Sequence, residues 1–580
     1  MKNRTYCLDI NKNKLNKKVT IYGWVKKKRK LGNLIFLDIA DISGLVQVVV
    51  QNQNKYFELV ENISKESVVE IFGIVNKRSA INEKIPTGAF EINLDEIKII
   101  SCAQNLPFVI DDDFIITNEE TRLKYRYLDL RNKNIRNNII LRSKVINTIM
   151  TFLESKDFIY IETPILCKPT PEGAKDYLVP TRNNLHSFFA LPQSPQIYKQ
   201  LLMVSGFEKY FQIARCFRDE NLRLDRQPEF TQLDIEMSFI NEDTIQTLIE
   251  ELLVDIFRKV LGIKIKTPFQ RIDYFDAIKK YGTDKPDLRF DIQIYEANDV
   301  FKNTQFKIFK NTIDNNNSIN YLIVENEIDS KKITLLEKLA KDNGAKGLAW
   351  IRLEKNKIKA GSIAKFIEEE LVMNILKKHQ FKNATIFFVA DKQEIALKSL
   401  GAVRNELGTI LNLKDKNEFN FAWIINWPLF EYNEEEKKYL AAHHPFTSPT
   451  NECLNDFDKN FKDAKARSYD IVLNGFELGG GSIRINDLNI QQRMFKALGL
   501  KEQEISDKFG FLMDAFKYGV PIHGGLAIGI DRLMMIITNS SSIRDVIAFP
   551  KNSAGYDLLT QSPTSVSKEE LIELDLTFRK

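Results

Sequence analysis

The sequence predicts a multidomain α+β protein that begins with a small β-barrel and continues into a larger region of mixed helices and strands. Three observations predict this class. Short β-prone runs fill the first hundred residues, helix and strand patterns follow from residue 136 onward, and a stretch rich in Lys, Asn and Glu interrupts them between residues 290 and 418. The 580 residues accommodate several such domains, since one domain takes roughly 150 residues.

Composition excludes several classes of protein. Hydrophobic residues make up 43% of the chain and charged residues 28%, which is ordinary for a globular protein and argues against wholesale disorder. The 83 basic and 78 acidic side chains leave a net charge of only +5, so nucleic-acid binding must depend on local clusters. The five cysteines are widely spaced and form no CxxC pair, which argues against zinc knuckles and a disulfide framework. A polar N-terminus and the lack of a long apolar run predict a cytoplasmic protein.

The barrel is predicted over residues 1–105, and the OB-fold suits the number and spacing of its β-prone runs. In the second run, alternation of strand side chains puts Ile35, Leu37 and Ile39 on one face and Phe36 on the other. Alternation in the third run separates Gln47 from its valines, so Phe36 and Gln47 are expected to face outward together. The five runs are Val19–Val25, Leu34–Ile39, Val46–Val50, Val68–Ile74 and Phe90–Ile100.

A basic run, Lys26–Lys30, is expected in a loop between the first two strands. By itself a charge run is typical of a solvated loop. Next to the outward Phe36 ring and Gln47 amide, however, it adds phosphate neutralisation to base stacking and hydrogen bonding, which single-stranded RNA recognition requires. Together these residues favour a nucleic-acid-binding barrel.

Residues 106–135, which include an acidic segment, are predicted to form a hinge, and residues 136–289 the first part of a second domain. Asn138–Leu153 carries apolar residues at helical spacing, and the β-like run that follows it, Phe158–Thr163, ends at Pro164.

A second core-facing helix is predicted from the apolar stripe between Ile245 and Val260, with Asp243 near its start and Gly262 near its end. The remaining assignments are an inserted domain over 290–418, the second part of the core over 419–560, which opens with the β-like run Phe421–Trp427, and a C-terminal extension over 561–580.

A candidate site wall is predicted around Cys216–Arg226 (CFRDENLRLDR) and the segment that follows it. Alternating charges alone are common on exposed strands. Thr231–Phe239, however, alternates Gln232, Asp234 and Glu236 with apolar residues, so three polar groups share one face of a strand.

Two later segments also carry chemistry. Asn474–Ile485 (NGFELGGGSIRI) contains a glycine triplet that lets backbone approach a ligand closely. Asp470 and Glu477 could hold Mg²⁺, which prefers oxygen ligands, although two carboxylates at this interval more often reflect chance. In Gly524–Leu533 (GGLAIGIDRL) the arginine, Arg532, suits phosphate binding, with a structural salt bridge as the alternative.

In this order, the segments resemble the class II aminoacyl-tRNA synthetases and, among these, the bacterial aspartyl-tRNA synthetase family, from Tyr22 to about Lys551. The three class motifs match Phe158–Pro164, Phe217–Glu220 with its continuation to Phe239, and Gly524–Leu533. The aspartate branch is indicated by Thr170–Pro180, Leu191–Leu202, His443–Pro449 and, in the insertion, Gly344–Leu353. The resemblance implies an antiparallel-sheet catalytic core and a homodimer interface near Pro164.

The resemblance also implies the reaction. L-aspartate would attack ATP through its own α-carboxylate to give aspartyl-adenylate, and the aspartyl group would then pass to the 3′ end of tRNA(Asp), with Mg²⁺ as cofactor. Such a mechanism requires no side-chain nucleophile, only positioning and charge stabilisation. The implied catalytic residues are Arg218 and Arg532, and the implied Mg²⁺ ligands are Asp470 and Glu477.

Three groups of binding residues follow from the same resemblance. The implied aspartate-binding residues are Glu172, Ser194, Gln196, Lys199, Arg218, Asp234, His443, His444 and Arg484. The implied ATP-binding residues are Arg218, Asp219, Glu220, Gln227, Glu477, Gly529, Ile530, Asp531 and Arg532. The implied anticodon-binding residues are Arg29, Phe36 and Gln47.

Within the aspartate site, Lys199 and Arg484 are assigned to the side-chain carboxylate, and Gln196 and Asp234 to the ammonium group. An amide in place of that carboxylate would leave the cations largely unpaired, and breaking a buried ion pair costs roughly 3–5 kcal/mol. Glu172 is expected on a mobile loop over the amino acid.

Some positions depart from the family pattern, and rival hypotheses remain. Lys30 stands where well-known relatives have an acidic residue, and Leu31 resembles forms that charge only tRNA(Asp); the alternative is a form that also charges tRNA(Asn). The rivals are a sibling synthetase for asparagine or lysine, a tRNA-free amide-forming ligase and a catalytically silent tRNA-binding protein. The basic barrel argues against the ligase, and retention of Arg218, Glu477, Arg484 and Arg532 argues against the silent protein.

Overall fold

A computed structural model describes residues 4–110, 117–169, 173–325, 327–355 and 357–578 of the chain. The chain forms two compact units, Met1–Thr117 and Asn118–Lys580. This division falls inside the segment 106–135 that is predicted to be a hinge, and regular helix begins there at Glu119.

The first unit contains the predicted closed barrel, in the strand order β1-β2-β3-β5-β4. Strand alternation directs Ile35, Leu37 and Ile39 into its core, as predicted, while Phe36 lies on the other face and is half-buried. The elements are β1 (Lys18–Leu31), β2 (Leu34–Ala40), β3 (Leu45–Gln51), α1 (Phe57–Asn62), β4 (Val68–Lys77) and β5 (Phe90–Ser101).

The basic run corrects one prediction, because Lys26–Lys30 is not a loop but the second half of β1, paired with β2. A β-strand can contain consecutive charged residues when their side chains form ion pairs or hydrogen bonds. Lys26 and Lys30 form ion pairs with Glu66 (2.8 Å) and Glu61 (2.6 Å). Lys28 donates to the backbone carbonyls of Glu61 and Ile63, at the end of α1. These lysines therefore hold the barrel together as well as giving it positive charge.

The second unit begins with the helices and strands that precede the insertion. The helices are α2 (Glu119–Lys124), α3 (Arg126–Asp129), α4 (Lys133–Glu154), α5 (Gln196–Val204), α6 (Glu242–Ile256) and α7 (Tyr274–Tyr281). The strands are β6 (Ile159–Tyr160), β7 (Leu178–Pro180), β8 (Phe188–Ala190), β9 (Lys209–Phe217), β10 (Glu229–Ser238) and β11 (Gln270–Asp273). The β-like run Phe158–Thr163 thus contributes only a two-residue strand.

The predicted helices form with local signals at their ends. The Asn132 side chain caps α4 by accepting from the N–H groups of Asn134 and Ile135. Asn241 caps α6, Asp243 lies in its first turn as predicted, and the following π-helical turn ends at Gly262 with a positive φ of 70°.

The predicted insertion, 290–418, contains a five-stranded antiparallel sheet of order β12-β13-β16-β14-β15. Separate hydrophobic clusters cover its two faces, one with α9 and α11 and the other with α8 and α10. The elements are β12 (Tyr295–Glu296), α8 (Lys307–Asp314), β13 (Ser318–Val324), α9 (Ser330–Asp342), β14 (Ala349–Glu354), β15 (Lys357–Gly361), α10 (Glu369–His379), β16 (Ala384–Asp391) and α11 (Gln393–Ile410).

The chain then returns to the core. The strands are β17 (Phe421–Ile425), β18 (Phe430–Asn433), β19 (Lys438–Ala441), β20 (Ser468–Leu473), β21 (Phe476–Ile483) and β22 (His523–Gly529), and the helices are α12 (Leu488–Ala497), α13 (Glu502–Ala515), α14 (Ile530–Ile537) and α15 (Lys568–Glu573).

A mixed sheet of order β11-β17-β20-β21-β22-β10-β9-β6 is the centre of this unit, and its neighbouring strands are antiparallel except at the two outer pairs. Apolar residues of α4, α6 and α14 pack with Leu233, Ile235 and other strand residues in one cluster. One face of the sheet is therefore hydrophobic core, and the polar residues of β10 point to the opposite face. In the described part of the chain, no helix has the length and apolar character needed to cross a membrane.

Candidate active site

A cleft of about 400 Å³ opens on the polar face of the large sheet. It brings together most of the sequence-predicted site residues, although they come from segments as far apart as 194 and 532. The predicted residues that line it are Ser194, Gln196, Lys199, Arg218, Glu220, Gln227, Asp234, His443, His444, Asp470, Glu477, Arg484, Gly529, Asp531 and Arg532. Glu172 lies outside the described residues, so its predicted place over the cleft stays a prediction.

Small residues on neighbouring strands make room for the acidic side chains of the cleft. Glu236 of β10 lies opposite Gly525 of β22, where an added Cβ would come within 2.1 Å of its Oε2. Asp470 of β20 lies opposite Gly480 of β21, where a Cβ would come within 2.5 Å of its Oδ1. The glycine triplet thus makes space for a carboxylate as well as for a ligand.

The floor of the cleft holds a buried arrangement of Arg484, Lys199 and Glu236. Arg484 is 2% exposed and binds Glu236 with two parallel hydrogen bonds of 2.9 and 3.1 Å. Lys199 is 1% exposed, and its Nζ lies 3.5 Å from Glu236 Oε2. Burial alone would raise the pKa of Glu236, but Arg484 and Lys199 outweigh it and hold that pKa below its usual value. Glu236 is therefore ionised and shared between the two cations.

Asp234 and Gln196 lie next to this arrangement, and each has a polar atom available to a ligand. Asp234 accepts from Lys199 through Oδ1 at 3.1 Å. Its Oδ2 and Gln196 Nε2 are buried without a hydrogen-bond partner among the described residues. Burial raises the pKa of Asp234 against the opposing effect of Lys199. Buried polar atoms without partners are costly, so both are suited to a polar ligand group in the cleft.

His444 supports Arg484 from the side. Its Nε2 lies 2.6 Å from Arg484 Nη1, which also donates to Ser482 Oγ at 2.5 Å. Burial and then Arg484 hold the pKa of His444 well below its usual value. The ring is therefore neutral, and its Nε2 accepts from the guanidinium.

Two arginines face the other half of the cleft. The Arg218 guanidinium lies 5.1 Å above the centre of the Phe230 ring, a cation–π contact that orients it. Arg532 donates to the Glu477 carbonyl at 2.5 Å and to Asp225 Oδ2 at 3.3 Å, while its buried Nε has no partner in the described chain. Both guanidinium groups suit the planar, bidentate binding of phosphate oxygens.

Asp470 and Glu477 fit the requirements of a magnesium site. Burial raises the pKa of Asp470 to about 6; His443 at 3.2 Å opposes this effect, and the negative charge of Glu477 adds to it. A carboxylate that lies beside a second carboxylate is stabilised by a bound cation. Mg²⁺ commonly takes one or two carboxylates and completes its shell with substrate phosphates and water. Among the described residues there is no group of three or more His, Cys, Asp or Glu side chains that could hold a metal ion.

Several predicted ATP-binding residues have other partners. Both amide atoms of Gln227 bind the backbone of Lys551, at 2.8 and 3.0 Å. Ile530 is fully buried in the hydrophobic core, so its side chain cannot contact a nucleotide. Glu220 forms an ion pair with Arg226 at 2.8 Å. Asp219 is exposed and bridges to Lys175 through its backbone rather than lining the cleft.

The barrel carries its own candidate site on the outer face of β1–β3. Arg29 lies opposite Phe36, and its Nη2 contacts Gln47 Oε1 at 3.3 Å. Gln47 lies on the predicted outer face with Phe36, but it also donates to Glu91 at 2.8 Å and is only 3% exposed. Neighbouring polar side chains cover it, which strand alternation cannot predict.

Four residues in or beside the cleft had no separate predicted role. Asp225 and Gln232 line it, and Glu236 and Ser482 bind Arg484 beneath it. The polar row on β10 did signal Gln232 and Glu236. Asp225 and Ser482 lie in the predicted segments Cys216–Arg226 and Asn474–Ile485, but only the fold shows that they contact Arg532 and Arg484.

Comparisons with known proteins agree with this geometry. The family described as "tRNA synthetases class II (D, K and N)" matches residues 118–553, and the "OB-fold nucleic acid binding domain" matches residues 19–100. Two curated relatives, each described as "Aspartate--tRNA ligase", are that of Malacoplasma penetrans, 55% identical over 100% of this chain and 99% of the relative, and that of Ureaplasma parvum, 50% identical over 99% and 100%. A relative from a Thermoanaerobacter species, described as "Aspartate--tRNA(Asp/Asn) ligase", is 46% identical over 99% and 98%.

Among solved structures, an asparaginyl-tRNA synthetase from Pyrococcus horikoshii complexed with asparaginyl-adenylate has a TM-score of 0.61 at 19% identity, covering 95% of this chain and 98% of that one. At this identity the likeness shows the fold alone. The matches over nearly the whole chain at about half identity show more: the chain belongs to the aspartate-tRNA ligase family of the class II tRNA synthetases.

Proposed function

We propose that this chain activates L-aspartate with ATP to form aspartyl-adenylate and transfers the aspartyl group to the 3′ end of tRNA(Asp). The observation that carries the proposal is the pair of buried cations, Lys199 and Arg484, which both contact Glu236 on the floor of the cleft, where Lys199 also contacts Asp234.

The charges on this floor explain a preference for aspartate. When aspartate is bound, Lys199 and Arg484 face Glu236 and the substrate's side-chain carboxylate, while the substrate's α-ammonium group offsets the third buried carboxylate, Asp234. Asparagine brings the same shape with one negative charge fewer and leaves a buried excess of positive charge. An unbalanced buried charge costs roughly 3–5 kcal/mol, which is about two to three and a half decades of selectivity.

The rest of the amino acid has matching partners. Asp234 Oδ2 offers an acceptor to the α-ammonium group, which satisfies a carboxylate oxygen that otherwise has no partner, and Gln196 Nε2 could donate to an oxygen of the substrate. Ser194 also lines the cleft. The α-carboxylate then faces Arg218, where it meets the nucleotide.

The reaction that this arrangement favours is in-line attack of the substrate's α-carboxylate on the α-phosphorus of ATP. Arg218 would neutralise charge at the α-phosphate and Arg532 at the γ-phosphate. Since the nucleophile belongs to the substrate, the enzyme contributes orientation and fixed positive charge rather than a covalent group. Proton transfer by a side chain is not required in the first step.

Asp470 and Glu477 would hold Mg²⁺ at the same end of the cleft. When bound, the ion would neutralise the phosphate oxygens of ATP and so favour departure of pyrophosphate. His443 would orient Asp470 through its hydrogen bond.

The barrel would bind the tRNA anticodon. Phe36 offers a half-exposed ring for stacking, and Arg29, with a side chain 47% exposed, adds positive charge beside it. Leu31 supports the form that charges only tRNA(Asp). The Thermoanaerobacter relative represents, by its description, the form that also acts on tRNA(Asn). We place the enzyme in the cytoplasm with the rest of translation.

A homodimer is part of the proposal. Three large apolar side chains around Pro164 are about half exposed, namely Ile159, Ile165 and Leu166. An exposed apolar group of this kind favours association with another surface, and a second copy of the chain is the partner that the family resemblance implies.

The test is ATP–pyrophosphate exchange by the purified full chain with single amino acids. We expect exchange with L-aspartate and at least a hundredfold lower kcat/KM with L-asparagine or L-lysine. Comparable exchange with either competitor, or none with any amino acid, would refute the assignment. Charging of transcribed tRNA(Asp) and tRNA(Asn) then separates the narrow form from the broad one.

A further inference from the structure

Asp531 has two well-defined partners that lie outside the substrate site. Its Oδ1 forms an ion pair with Arg142 Nη1, and the side chains are 3% and 15% exposed. Its Oδ2 accepts from the backbone N–H of Thr231 at 2.7 Å. Both oxygens therefore have partners within the protein, and a direct contact of Asp531 with ATP stays a prediction.

The two partners belong to different parts of the core. Arg142 lies in the middle of α4, and Thr231 lies near the start of β10, five residues before Glu236. Asp531 is in the first turn of α14, so it joins a helix, a strand and the start of a second helix at one point. The Arg142 Nη1 atom also donates to the Val546 carbonyl at 3.4 Å.

The same face of α4 is attached one turn earlier. Asn138 Nδ2 lies 3.3 Å from both Ser540 Oγ and the Asp545 carbonyl. Residues 138 and 142 are four apart and therefore neighbours along one face of the helix. This face of α4 thus contacts the first turn of α14 and the segment just after α14. These contacts fix α14 at both ends.

Arg532 follows Asp531 directly. Consecutive residues on a helix point about 100° apart, so Asp531 reaches toward α4 and β10 while Arg532 reaches into the cleft. The Arg532 side chain donates hydrogen bonds to the Glu477 carbonyl and to Asp225. These bonds do not fix its backbone, whose direction is set by the first turn of α14. The contacts that fix Asp531 therefore also fix the Cα atom from which the Arg532 side chain extends.

We propose that Arg142 and Asp531 are positioning residues for ATP: their ion pair, together with the Asp531–Thr231 hydrogen bond, fixes the first turn of α14 so that Arg532 meets the terminal phosphate in a single orientation. This inference rests on the proposed function, since it takes ATP as the ligand of Arg532. It assigns no substrate contact to either residue. Loss of the Arg142–Asp531 ion pair lets the Arg532 guanidinium adopt several orientations, which weakens ATP binding. The residues that bind aspartate on the floor of the cleft are unaffected.

The test compares Asp531→Asn with a matched control, Asp458→Asn. Asp458 also accepts from an arginine, Arg493, through both oxygens at 2.6 and 2.9 Å, and it lies outside the cleft. Each change removes one charge from an ion pair and keeps an acceptor oxygen. KM for ATP and for aspartate, kcat in pyrophosphate exchange and Tm are measured for both variants.

We expect Asp531→Asn to raise KM for ATP at least tenfold, with KM for aspartate within twofold of wild type, and Asp458→Asn to leave both KM values within twofold. Arg142→Met should show the same separation, and Arg142→Lys should recover most of the loss, because a single nitrogen of Arg142 makes both of its contacts. These variants keep the test open should Asp531→Asn fold poorly.

Equal changes in both KM values, or an unchanged KM for ATP in variants that fold, would overturn the proposal and leave a purely structural ion pair. Equilibrium binding of a non-hydrolysable ATP analogue gives the same comparison without turnover. If wild type binds the analogue but exchanges with no amino acid, the proposed function fails, whereas the effect of Asp531→Asn on analogue binding still decides the positioning role.

Discussion

Replacing Arg484 by leucine should remove the use of aspartate while sparing the use of ATP. Arg484 is 2% exposed and binds Glu236 at 2.9 and 3.1 Å, so the substitution leaves Lys199 alone to face two buried carboxylates. Breaking a buried pair of this kind costs roughly 3–5 kcal/mol. At about 1.4 kcal/mol per decade, kcat/KM for aspartate should fall by about two to three and a half decades.

The assay is pyrophosphate exchange at pH 8 over a range of aspartate and ATP concentrations. At this pH His444 stays neutral, because burial, as well as Arg484, lowers its pKa and burial persists in the variant. KM for ATP should change less than threefold, since Arg218 and Arg532 are untouched.

A second substitution makes the prediction specific to charge. Adding Glu236→Gln to Arg484→Leu leaves one cation, Lys199, for the one carboxylate of aspartate, so at least tenfold of the lost kcat/KM should return. Near-normal aspartate use by Arg484→Leu would refute the assignment of the floor. If Glu236→Gln instead deepened the loss, the charge balance would be the wrong explanation.

Three further predictions concern the barrel, the metal and the core. Phe36→Ala should raise KM for tRNA(Asp) by about tenfold or more, because base stacking contributes about 1–3 kcal/mol, while pyrophosphate exchange stays within twofold; equal losses in both assays would mean a folding defect. Asp470→Asn should raise the Mg²⁺ concentration for half-maximal exchange at least tenfold in a Mg²⁺ titration, and an unchanged midpoint would remove Asp470 from the metal site. Ile249→Ala, at a fully buried position of α6, should lower the free energy of unfolding by about 2–5 kcal/mol in urea, and a loss below 1 kcal/mol would contradict its place in the core.

The sequence predicts regular elements well where side-chain periodicity and burial agree. The five barrel runs and the helices α4 and α6 are confirmed, since their apolar spacing matches a strand or a helix and the core takes up that face. The basic run Lys26–Lys30 was wrongly predicted as a loop because composition ignores backbone pairing and the carboxylates of distant residues. The same limit applies to Gln47, which lies on the predicted face but is covered by its neighbours.

The sequence also predicts the family and the residue types of the site, because these depend only on which residues occur and in what order. That information sufficed for the family, the barrel and most residues of the cleft. Tertiary structure alone decided which charges meet: Glu236 neutralises Arg484 across 248 positions of sequence, and Asp531 forms an ion pair with Arg142, 389 positions earlier. The physical reason is that electrostatic interactions depend on distance and burial in space, and these are set by the packing of strands and helices that are remote along the chain.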